Sequence, residues 1–154
     1  MITGLAHVGI HVTDMQESLR FYVDCLGMEK IFELKNDQGG DWLIYVKMGE
    51  RSFIELFYGG TQKRVVFWPK TMEEYAQLAK PQYDAIYHEI CTHMCFEVDD
   101  IMAVYERVVE FGYNGVTGVP TKGLDHNYEC FIEDPDGNLI ELMQYTDEAL
   151  QFNY

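Results

Sequence analysis

Two histidines and two glutamates, His7, Glu55, His93 and Glu141, recur at one spacing. In each half of the chain the histidine precedes the glutamate by 48 positions, and 86 positions separate the two pairs. Imidazole nitrogens and carboxylate oxygens together suit a borderline divalent ion that keeps positions open for water or substrate. A carboxylate beside such an ion can also take and return a proton. Taken singly, each residue has a plainer reading, as a strand-edge glutamate that reaches water or a histidine satisfied in the core. The shared spacing is what favours a site.

The offset of 86 runs beyond these four residues. Ile54 falls on Ile140, Leu56 on Leu142, Val12 on Val98, Asp14 on Asp100 and Tyr45 on Phe131, and Gly27 matches Gly112 one residue out of step. This is an internal duplication, and it fixes the architecture and the candidate site together.

The elements that must position these side chains follow from local pattern. EDPDGNLIEL, residues 133–142, is a proline- and glycine-bearing turn followed by an alternating strand, so Leu139, Glu141 and Met143 share one face and Ile140 and Leu142 the other. RSFIELF plays the same part for Glu55. LAHVGIHV, residues 5–12, puts His7, Gly9 and His11 on one face, and CTHMCFEV, residues 91–98, does so for Cys91, His93 and Cys95. Asp14 with Glu17 has capping-box spacing ahead of a helix with an apolar stripe of Leu19, Tyr22, Val23 and Leu26, ended by Gly27. Asp99-Asp100 opens the matching helix, with Ile101, Val104, Tyr105 and Val108 at helical spacing and Gly112 at its end. Strands are expected over 28–35, 41–48, 114–116 and 129–132, with a loop over 121–126. Each half therefore reads as βαβββ, giving an α+β fold in which 1–58 is the first module, 59–90 an insert and 91–146 the second module of a single 1–154 domain. The insert carries aromatic residues and a short helix from Thr71 to about Lys80. It reads equally as a functional lid and as a packing excursion.

Composition narrows the function. The 154 residues carry a net charge of −15 with a pI near 4.5. That sign opposes the tracking of nucleic-acid phosphates. No apolar run reaches the length of a membrane span, and MITGLAHVGI lacks a basic region before its apolar stretch, so a cytoplasmic location is expected. Cysteines at 25, 91, 95 and 130 form no disulfide framework and read as free thiols, with Cys91 and Cys95 as small buried hydrophobes rather than metal ligands.

The motifs HVGIHVTD (7–14), FIEL (53–56), THMCFEVDD (92–100) and DPDGNLIEL (134–142) resemble the vicinal oxygen chelate superfamily, which includes glyoxalase I, methylmalonyl-CoA epimerase, extradiol dioxygenases and antibiotic-resistance proteins. The resemblance covers both halves and leaves out the insert and the last dozen residues. It implies two βαβββ modules forming a cupped half-barrel around one divalent ion, which could be nickel, cobalt, zinc, manganese or iron, held by His7, Glu55, His93 and Glu141. The His/Glu/His/Glu set resembles glyoxalase I most, since extradiol dioxygenases typically present two histidines and one glutamate, and the epimerases usually have glutamine in place of Glu55.

A metal-dependent isomerase or lyase of the glyoxalase I or epimerase type is thus expected. It would act on a small-molecule substrate through a metal-bound enolate or enediolate, with Glu55 and Glu141 as proton carriers. An extradiol dioxygenase and a metal-free drug-binding protein are the alternatives. His11, on the face of His7, reads as a substrate contact or a hydrogen-bonding support, and His126 as a mobile cleft group. Relatives of glyoxalase I often carry an arginine where this chain has His11, and only four arginines are present to meet an anionic thiol cofactor. Pairing of two copies is expected for such open half-barrels.

Overall fold

A computed structural model describes residues 1, 4–63, 93–113 and 117–153. The chain divides into two compact units, Met1–Lys63 and Arg64–Tyr154. The expected helix near 71–80, the rest of the insert from residue 64 onward, Cys91 and the expected strand at 114–116 lie outside the described residues.

In the first unit, strand β1 (His7–His11) leads to helix α1 (Met15–Leu19), which widens into a π-helical stretch over Arg20–Cys25. Strands β2 (Glu29–Lys35), β3 (Asp41–Lys47) and β4 (Phe53–Phe57) follow. The sheet order is β1-β4-β3-β2, with β1 parallel to β4 and the other pairs antiparallel. Asp14 starts the helix as its spacing requires. Its carboxylate accepts from the backbone N–H groups of Gln16 at 3.0 Å and Glu17 at 3.2 Å, satisfying donors that have no partner within the helix. Gly27 ends the segment at φ 74°, a conformation that suits glycine.

Of the expected stripe the helix buries only Tyr22. Met15, Ser18, Phe21, Tyr22 and Cys25 are buried, whereas Leu19, Val23 and Leu26 are only partly so. A π turn holds more residues than an α turn, so the inward face drifts along the sequence. Phe21 and Tyr22, adjacent in sequence, both reach the core and meet edge-on at 5.1 Å. Ile44, Val46, Ile54 and Leu56 form the buried face of the sheet. Alternation leaves Tyr45, Phe53, Glu55 and Phe57 on the opposite face, which β1 extends with His7, Gly9 and His11.

The described part of the second unit repeats the plan. It contains strand β5 (Met94–Glu97), helix α2 (Ile101–Glu110), strand β6 (Thr121–Lys122), strand β7 (Tyr128–Glu133) and strand β8 (Leu139–Gln144). The order β5-β8-β7-β6, with β5 parallel to β8, matches the first sheet position for position. Asp100 caps α2 by accepting from Ala103 N–H at 3.0 Å, and Gly112 follows the helix at φ 88°. The loop expected at 121–126 begins with a two-residue strand instead. Thr121 and Lys122 pair with Glu129 and Tyr128, because the chain turns back on itself at Gly123–His126.

The turn before β8 is held by more than proline and glycine. The buried Asp134 carboxylate accepts from the N–H groups of Asp136 at 3.0 Å and Asn138 at 2.7 Å, and from the Asn138 amide at 2.9 Å. The C-terminal residues are tied down through Asn127, which is fully buried. Its amide donates to Asp125 and to Gln151, each at 2.8 Å, and its carbonyl accepts from Thr146 N–H at 3.2 Å. Among the described residues no helix is long and apolar enough to cross a membrane.

Candidate functional site

Each unit brings one histidine and one glutamate together. On β1 and β4, Gly9 is the register partner of Glu55, and His7 sits two residues before it on the same face. This diagonal places His7 Nε2 3.5 Å from Glu55 Oε2. On β5 and β8, Cys95 is the register partner of Glu141, and His93 lies two residues earlier, with Nε2 3.0 Å from Glu141 Oε2. The duplication in sequence is thus a duplication of geometry.

The carboxylates are the sheltered members of both pairs. The Glu55 and Glu141 side chains are 13% and 10% exposed, against 48% and 33% for His7 and His93. A carboxylate so enclosed calls for hydrogen-bond partners in place of water. Glu55 has the Tyr45 hydroxyl, which donates to its Oε1. The tyrosine is held above its ordinary range, first by that hydrogen bond and then by burial. Glu141 has different company. Cys95 hydrogen-bonds to it, and the thiol is pushed up to about 12, first by the protein packed around it and then by the Glu141 charge. Glu129 also shares a hydrogen bond with Glu141 and is raised above the usual carboxylate range by burial, by Glu141 and by Asp125.

The donor set fits a divalent ion. Two ligands about 2.1 Å from an ion stand about 3.0 Å apart at right angles and about 3.4 Å apart at the tetrahedral angle, and nitrogen and oxygen are 3.0 Å apart in the second pair and 3.5 Å in the first. Gly9 keeps the first pair open, since a Cβ there would lie 3.4 Å from Glu55 Oε2 and 3.0 Å from the Phe57 ring. Among the described residues no group of three or more His, Cys, Asp or Glu side chains is arranged to hold an ion, and each pair is a two-donor arrangement.

Of the remaining candidates, His11 is exposed on the His7 face, tilted against the Phe57 ring at 5.4 Å. His126 is exposed at φ 72° in the turn before β7, with its carbonyl bonded by Thr146. Neither side chain is placed in either pair. Cys95 departs from expectation, being exposed rather than buried, because it shares the open face of β5 with His93. Cys25 and Cys130 are buried.

Tyr45 and Glu129 are site neighbours that the motif reading passed over. Both were visible through the offset of 86: Tyr45 gains a hydroxyl over Phe131, and Glu129 puts an acid where the first unit has the buried Leu43.

Residues 4–142 match the profile of the Glyoxalase/Bleomycin resistance protein/Dioxygenase superfamily. A probable lactoylglutathione lyase of Vibrio parahaemolyticus is 29% identical over 144 residues, which cover 91% of this chain and 89% of that protein. A lactoylglutathione lyase of Pseudomonas aeruginosa is 28% identical over 146 residues, covering 90% and 80%. Among solved structures, a superfamily member from Sphaerobacter thermophilus superposes with a TM-score of 0.65 at 21% identity, covering 94% of this chain and 98% of that one.

Proposed function

The chain belongs to the Glyoxalase/Bleomycin resistance protein/Dioxygenase superfamily, and from that premise we propose that it is a metal-dependent lyase or isomerase that moves a proton alpha to a carbonyl. The observation that carries this reading is the repeated His–Glu diagonal, with each carboxylate sheltered on a strand beside an imidazole. The reading requires both pairs to serve one ion, with His7, Glu55, His93 and Glu141 as its ligands. When bound, a divalent ion would supply an electrophile for the substrate's carbonyl oxygen and the neighbouring hydroxyl.

The chain's own residues supply the rest. Glu55 and Glu141 are carboxylates with little access to water, suited to taking the proton from carbon and returning it to the same or the adjacent carbon. Glu129, which shares a hydrogen bond with Glu141, stands beside its oxygens and is placed to take part in that return. Phe57 and His11, with Phe53 and the stacked pair Phe32 and Tyr45 at 4.5 Å, give the first unit an aromatic wall for the apolar part of a substrate.

The relatives' name makes a lactoylglutathione thioester the first compound to test, with neutral hydroxy-ketones second. The deciding experiment follows deuterium uptake from heavy water at the carbon alpha to the carbonyl, with and without added divalent ion. Metal-dependent uptake supports the proposal. Oxygen consumption with a catechol, and no exchange on any carbonyl tested, would replace it with ring cleavage.

Pairing of two copies is part of the proposal. Every residue of β2, an edge strand, is exposed, and Ile31, Phe32, Leu34 and the neighbouring Trp42 are 40–46% accessible. Exposed apolar side chains of this kind offer contact area to a second copy. A monomer mass in sedimentation at all concentrations would count against pairing.

A further inference from the structure

We infer that Tyr45 is a positioning residue for Glu55, fixing which carboxylate oxygen is left for an ion; the inference rests on the ligand set proposed above. Tyr45 is the register partner of Glu55 across β3 and β4, so its side chain rises from the sheet directly beside the carboxylate. Its hydroxyl donates to Glu55 Oε1, while Oε2 is the oxygen turned toward His7. The two oxygens are thereby given different tasks. A hydroxyl donating to a carboxylate restricts rotation about its last bond.

The ring that carries this hydroxyl is itself pinned. It stacks on Phe32 at 4.5 Å with 27° between planes, and meets Phe53 edge-on at 6.2 Å and His7 edge-on at 6.3 Å. Both members of the first pair therefore touch Tyr45.

The second unit shows that the fold does not require the hydroxyl. Phe131 is the register partner of Glu141, as Tyr45 is of Glu55, and its ring meets His93 edge-on at 5.4 Å. The ring is common to both units, whereas the hydroxyl is present only beside Glu55. Glu141 takes its bonds instead from a thiol, which is a weak donor, and from a second acid. The two carboxylates, equivalent by duplication, are thus held by different chemistry. A donor that orients a ligating carboxylate typically changes metal affinity or activity about 10- to 100-fold when removed.

The test is Tyr45→Phe, which keeps every ring contact and deletes one donor. Cobalt(II) is titrated into wild type, Tyr45→Phe, Glu55→Ala and the double variant, following both the dissociation constant and the visible absorption of bound cobalt. The expected result is a dissociation constant raised about 10- to 100-fold in Tyr45→Phe with an altered cobalt spectrum. No further loss is expected when the same change is made in Glu55→Ala, because the hydroxyl acts through that carboxylate. An unchanged constant and spectrum in Tyr45→Phe would overturn the inference while leaving the ligand set standing. An equal loss in both backgrounds would overturn it too, since Tyr45 would then act independently of Glu55. Failure of wild type to take up cobalt would overturn the ligand set, and the inference with it.

Discussion

His93 Nε2 stands 3.0 Å from Glu141 Oε2 because the histidine lies two residues before the register partner of the glutamate on a parallel strand. The register alone sets this diagonal, and the same register sets it for His7 and Glu55. His7, Glu55 and Glu141 lie within paired strands and His93 immediately precedes one, so the backbone holds each pair within reach.

Metal uptake tests the proposed ligand set. The protein is expected to bind about one divalent ion per set of four ligands, and His93→Ala or Glu141→Ala should each remove most of it. Elemental analysis of dialysed protein measures this. Full metal content in both variants would reject the four-ligand set.

Glu141→Gln keeps the shape of the side chain and removes its basicity. Proton exchange alpha to the carbonyl should slow by about 10²- to 10⁴-fold, the usual contribution of a positioned base. Measuring exchange and metal content on the same sample separates the roles. Slow exchange with metal retained marks a base, loss of both marks a ligand, and undiminished exchange removes Glu141 from the chemistry.

Cys95 should be accessible yet unreactive. Its thiol, pushed up to about 12 from 9.0, stays protonated at pH 8, and the thiolate is the nucleophile. Alkylation by iodoacetamide in metal-free native protein should be slower than in urea-unfolded protein by about two orders of magnitude. Removing the nearby negative charge in Glu141→Gln lowers the thiol toward its ordinary value, so the native rate should rise. Peptide mass mapping reads both, and native labelling of Cys95 at the unfolded rate would contradict the account.

Asn127 carries the attachment of the C-terminal residues. Asn127→Ala removes two donated bonds and one accepted bond from a fully buried position. A cost of about 1–3 kcal/mol is expected, visible as a lowered Tm. Part of that cost is pH-dependent. Asp125 is held below its ordinary 3.8, first by the Gln151 amide and then by Asn127. A carboxylate with a lowered folded pKa adds stability above its unfolded value and loses it as pH falls through the folded one. The gap between wild type and variant should therefore narrow as pH drops below 3.8. Denaturant melts at neutral and acid pH decide the point, and a constant gap would mean that Asp125 takes no part.

The repeat of His, Glu and alternating strands was legible in the chain itself because strand periodicity is local and the duplication supplied an internal comparison. Asp14, Gly27, Asp100 and Gly112 marked the helix ends for the same reason, since capping depends on residues within one turn. The buried stripe of the first helix was not legible. Regular 3.6-residue spacing pointed to Leu19, Tyr22, Val23 and Leu26, of which only Tyr22 is buried, because the wider turn over Arg20–Cys25 brings Phe21 and Cys25 inward as well. Nor did the sequence place Cys95 on an open face, or show that Asp134 would hold the turn before β8. Above all, the partners of the two glutamates depend on the register between paired strands. One sequence pattern, repeated, produced two carboxylates, and tertiary packing alone gave Glu55 a tyrosine hydroxyl and Glu141 a thiol and a second acid.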